Sequence, residues 1–92
     1  KETREVDIAS KVLIDGNPVA LLGECRFGTG KMYEDALNRL VESSGSIGTD
    51  LPKRFILMSI SGFGDGLQDE AAEKGVMLVG LEEIANWRIR TA

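Results

Sequence analysis

The chain has 92 residues, 42% apolar and 28% charged, the balance of one ordinary globular domain and too few residues for two. Its 11 basic against 15 acidic residues leave a net charge of −4, which argues against a basic nucleic-acid-coating module. Histidine is absent and Cys25 is the single cysteine, so Ser-His-Asp and Cys-His catalysis, intrachain disulfides and cysteine metal clusters are all excluded. A reducing, cytoplasmic setting is the default expectation, and no apolar run approaches the ~20 residues of a membrane span.

The opening residues, Lys1-Glu-Thr-Arg-Glu-Val-Asp7, run into a strand and include no apolar leader, and the chain is expected to be a fragment of a longer protein. From Arg4 to Ile14 the pattern alternates. Val6, Ile8, Val12 and Ile14 share one face, and Glu5, Asp7, Ala9 and Lys11 share the other. Asp15-Gly-Asn-Pro18 is a turn cluster that suits a tight hairpin, centred on Asp15-Gly16 or on Gly16-Asn17. A second strand over Val19–Phe27 must then run antiparallel to the first.

Gly28-Thr-Gly30 breaks this strand, and a helix is predicted over Lys31–Ser43, with Met32, Tyr33, Ala36, Leu37, Leu40 and Val41 as its apolar stripe. Ser43 to Asp50 reads as a loop. Phe55–Ile60 is almost continuously apolar, as expected of an interior strand covered on both faces. Asp65 is a candidate N-cap for a short helix through Lys74, and Gly75 is placed to end it in the left-handed conformation. A fourth strand over Val76–Val79 follows, and Leu81 begins a last helix carrying Trp87. Hairpin, helix, strand, helix, strand, helix specifies an α/β fold: a mixed four-stranded sheet, antiparallel in the hairpin and parallel afterwards, with helices on its faces.

The charged residues of the hairpin converge. Either turn register sets Asp7 on the same face as Glu24 and Arg26, opposite or diagonal across the strand pair. Two carboxylates meeting on adjacent strands suit a hard divalent cation such as Mg²⁺, which favours oxygen ligands. With a cationic side chain two residues along, the set has the parts for phosphodiester hydrolysis: Lewis acid, activated water and a positive charge for the transition state. The alternative is a cross-strand Asp7–Arg26 ion pair, contributing about 0–1 kcal/mol if exposed.

Glu5-Val-Asp7, a tight turn and Leu22-Gly-Glu-Cys-Arg-Phe27 together resemble the PD-(D/E)xK motif of the restriction-endonuclease-like fold. Ile60-Ser-Gly-Phe63, Gly75-Val-Met-Leu-Val79 and Leu81-Glu-Glu-Ile84 extend the likeness over about Arg4 to Ile84. The pattern is similar to Mrr-like restriction domains, and more closely to the C-terminal domain of archaeal-type AAA+ ATPases. The resemblance implies Asp7 and Glu24 as metal ligands, the backbone carbonyl of Cys25 as a third, Mg²⁺ as cofactor and DNA as partner. It also implies an ATPase domain upstream, which alone would bind ATP. Arg26 stands where the family has lysine. A guanidinium can hold a phosphate or orient water but cannot serve as a base. The resemblance therefore leaves two functions open, a metal-dependent nuclease domain and a catalytically inactive accessory domain that binds nucleic acid or a partner.

Other motifs carry less. Gly28-Thr-Gly-Lys31 fails the phosphate-loop pattern, which needs glycine at Cys25 and a hydroxyl at Met32. Cys25 shares a face with Val19 and Leu21 and reads as a small buried hydrophobe. Ser59 and Ser61 read as turn formers, Lys31, Lys53 and Arg54 as solvated surface, and Trp87 as a packing residue.

Overall fold

Asp15 and Gly16 both take positive φ, 53° and 82°, so the hairpin closes on the first of the two candidate centres in a two-residue turn. That turn joins β1 (Ile8–Ile14) to β2 (Asn17–Arg26) in antiparallel register, with Ile14 opposite Asn17 and Ile8 opposite Gly23. The structure, a computed structural model, describes residues 7–83. The expected strand residues before Asp7 and the helix residues from Ile84 onward, Trp87 included, lie outside the described residues.

After β2 come α1 (Glu34–Ser44), β3 (Lys53–Ser59), α2 (Asp65–Lys74) and β4 (Met77–Val79), and residues 81–83 begin a further helical turn. The sheet order is β1-β2-β3-β4, with β3 parallel to both β2 and β4. The α/β class and the mixed sheet are as expected from the sequence.

Both described helices cover the same face. Ala36, Leu37 and Leu40 of α1 and Leu67 and Ala71 of α2 join Leu22 and Leu57 in one core cluster. The reason is topological: β2, β3 and β4 succeed one another in a single direction, so right-handed crossovers place both helices on one side. On the other face Val19, Ile56 and Val79 are buried, while Ile8, Val12, Leu21, Cys25 and Met58 are partly covered. Ile56 and Leu57 are thus buried on opposite faces, as expected of an interior strand. Gly23 is required there, because a Cβ would stand 2.5 Å from Ile56 Cγ2 and 2.6 Å from its carbonyl oxygen.

Several boundaries differ from the sequence expectation: β2 is Asn17–Arg26 instead of Val19–Phe27, β3 is Lys53–Ser59 instead of Phe55–Ile60, and three more differ around the helices. Helix α1 begins at Glu34 because Met32 is spent on a bridge to Phe63: its N–H donates to Gly62 O at 3.0 Å and its carbonyl accepts from Gly64 N at 2.8 Å. Gly64, not Asp65, is the N-cap of α2, so Asp65 sits in the first turn, where its charge complements the helix dipole. Val76 donates to Ala71 O at 2.9 Å, which holds it to the helix end and starts β4 one residue later. Gly75 ends α2 at φ 70°, the left-handed cap expected of it.

Candidate functional site

The register that pairs Ile8 with Gly23 leads, one step further, to Asp7 beside Glu24. In a hairpin closed by two residues, Asn17, Val19, Leu21 and Gly23 exchange hydrogen bonds with β1, and Cys25 is next in that series. The Asp7 carboxylate fills this step: Oδ2 accepts the Cys25 N–H at 3.0 Å. Asp7 therefore acts as a side-chain extension of the ladder, at an exposed end of the hairpin.

Glu24 follows Leu22 on the helix-covered face and reaches α1. Its Oε2 lies 3.3 Å from Arg39 Nη2, while Arg39 Nη1 donates to Asp35 Oδ2 at 2.9 Å. The pair is open to water, with Arg39 49% and Glu24 23% exposed. Partial burial works against the charge on Arg39, and its bonds to Asp35 and Glu24 outweigh that effect, holding the guanidinium still more firmly protonated.

Both candidate carboxylates act on one group. The Cys25 thiol is pushed above its ordinary value, first by burial and then by the negative charges of Asp7 and Glu24. Its Sγ lies 3.7 Å from Met58 Sδ, on the face expected of a small hydrophobe. Arg26 continues the Glu24 face and pairs in register with Ser59. Among the described residues no ion pair joins Arg26 to Asp7.

Arg39 and Asp35 were not anticipated from the sequence. The available signal was their i,i+4 spacing on a predicted helix, which favours such a pair but does not point it at Glu24. Other candidates have structural duties. Lys53 Nζ donates to Ser44 O at 2.7 Å, at the C-terminal end of α1, where positive charge is favoured. Ser59 is fully buried with Oγ accepting from Ser61 N, and Ser61 Oγ donates to Gly28 O at 2.6 Å. Lys31 and Arg54 are exposed.

Among the described residues, no group of three or more Asp, Glu, Cys or His side chains is gathered to hold a metal ion. The donors present at the hairpin end are two carboxylates and a peptide carbonyl. Mg²⁺ commonly takes one or two carboxylates and keeps water or substrate phosphate for its remaining positions; here each carboxylate has a protein partner, Asp7 the Cys25 N–H and Glu24 the Arg39 guanidinium. A separate hollow of about 350 Å³ lies at the C-terminal ends of β3 and β4, lined by Gly62, Phe63, Gln68, Leu78, Gly80 and Glu83. Its polar side chains bond to nearby backbone: Gln68 Nε2 donates to Phe63 O, and Glu83 Oε1 accepts from Gly80 N.

No family model matches the chain, and no curated protein or solved structure matches it. Among the described residues no helix is long and apolar enough to cross a membrane.

Proposed function

We propose that the chain is a restriction-endonuclease-like domain of a longer AAA+ ATPase, and that its hairpin end is a nuclease-type site acting on DNA. The single observation that carries this reading is the hairpin register that sets Asp7 beside Glu24, with the Asp7 carboxylate bonded to the N–H of Cys25. Asp7, Glu24 and the Cys25 carbonyl would hold Mg²⁺, which when bound supplies Lewis-acid polarisation of a phosphodiester and activation of water. Arg26 contributes a permanent positive charge for a phosphate oxygen and no base. Glu24 can be released for this duty, because an exposed arginine–carboxylate pair is worth only about 0–1 kcal/mol. Any ATP chemistry belongs to the domain upstream.

The Glu24–Arg39 pair also favours a second reading, an inactive accessory domain that binds nucleic acid or a partner, since a guanidinium already neutralises the carboxylate a cation would need. Incubating the full-length protein with plasmid DNA and Mg²⁺ or Mn²⁺ decides between them. The nuclease reading expects cleavage that Asp7→Ala and Glu24→Ala each abolish. Cleavage surviving both substitutions, or none from the parent with either metal, overturns it.

A further inference from the structure

We infer that the loop between β2 and α1 binds an unpaired nucleic-acid strand, with Phe27 and Tyr33 as stacking platforms and Lys31 and Arg26 as phosphate contacts. The inference rests on the preceding reading in taking nucleic acid as the substrate, and adds which form of it is held.

Phe27 and Tyr33 flank the loop and are 60% and 52% exposed, whereas Phe55 and Phe63 pack against the core. Their exposure is not the result of a loose loop. The Arg26 carbonyl accepts from Ile60 N at 3.3 Å, the Gly28 carbonyl from Ser61 Oγ at 2.6 Å, and Met32 is bonded to Gly62 and Gly64 with its side chain fully buried. The Tyr33 ring is itself seated on Gly64, where a Cβ would come 2.5 Å from Tyr33 Cδ1. A ring held on a fixed frame, as that of Tyr33 is, loses little freedom when a base stacks on it.

Between the rings lie Gly28 and Gly30. Neither has the positive φ that favours glycine, and a Cβ on either would meet nothing within 4 Å. Neither conformation nor internal packing calls for glycine here. What the missing side chains leave is bare backbone over which a phosphate chain can pass closely. Lys31 is exposed on this stretch and Arg26 is half-buried, and among the described residues neither forms an ion pair. Of the neighbouring acids, Asp35 is bonded to Arg39, and the Glu34 carboxylate lies beside Gly66 in the first turn of α2. A duplex keeps its bases stacked inside, so exposed rings find partners only on unpaired nucleotides.

Fluorescence anisotropy of the full-length protein tests this, using a labelled single-stranded oligonucleotide and its blunt duplex in EDTA, where cleavage does not interfere. The expected result is tighter binding of the single strand, weakened about 5- to 100-fold by Phe27→Ala or Tyr33→Ala. Lys31→Ala should reduce the slope of log affinity against log salt by about 0.7. Phe27→Tyr and Tyr33→Phe keep the rings and should bind as the parent does, which separates stacking from any loss of fold. Equal or tighter binding of the duplex, no binding of the single strand, or alanine variants that bind like the parent would each overturn the inference. Ring-dependent binding in a protein that cleaves nothing would sink only the hydrolytic reading.

Discussion

Asp7 Oδ2 accepts the N–H of Cys25 at 3.0 Å, so a carboxylate continues the β1–β2 ladder one step past Ile8 and Gly23, the last pair among the described residues. A residue that the sequence marks as a metal ligand thus has a structural duty as well, and the two can be measured separately.

Asp7→Ala leaves the Cys25 N–H to water, and a loss of about 0.5–1.5 kcal/mol is expected in urea unfolding with unchanged m-value. Asp7→Asn keeps an acceptor and should recover most of that stability. If asparagine restores stability but not cleavage, the carboxylate charge serves chemistry and not the hairpin.

Arg39 competes with a cation for Glu24. Arg39→Ala removes two exposed ion pairs and should change stability by less than about 1 kcal/mol. Titration calorimetry with Mn²⁺ should then show several-fold tighter binding than the parent. Identical affinities would mean that Glu24 is not a ligand.

The Cys25 thiol is held protonated by burial and by the charges of Asp7 and Glu24, so its alkylation rate should rise with pH only above the ordinary thiol range. Glu24→Gln removes one of the opposing charges and should move the inflection down. The folded-state value is raised, so the stabilising contribution is complete below the unfolded thiol value. It is lost as pH climbs past that value, where the unfolded chain ionises first. A rate profile matching that of a free cysteine would contradict this environment.

Gly23 and Gly28 should respond oppositely to substitution. Gly23→Ala drives a Cβ into Ile56 side chain and backbone and should cost about 1–3 kcal/mol, whereas Gly28→Ala enters open space and should stay within about 0.5 kcal/mol. Thermal unfolding of the two variants beside the parent checks this. Equal midpoints would mean that β2 and β3 can separate without cost.

What the sequence by itself determined is what nearest neighbours control. Asp15-Gly16 accepts positive φ at both positions, which fixes the phase of the hairpin and, with it, Asp7 beside Glu24. Gly75 supplies the left-handed cap of α2, and the change from period two to helical spacing orders the elements. Tertiary structure decided the rest. Met32 reads as helical until Phe63, far along the chain, captures its backbone; Glu24 reads as a free carboxylate until α1 folds over the sheet and brings Arg39 to it. Local pattern specifies which way a side chain leaves the backbone, but its partner depends on how separate elements pack, and only the assembled sheet and helices bring those distant groups within a few ångströms.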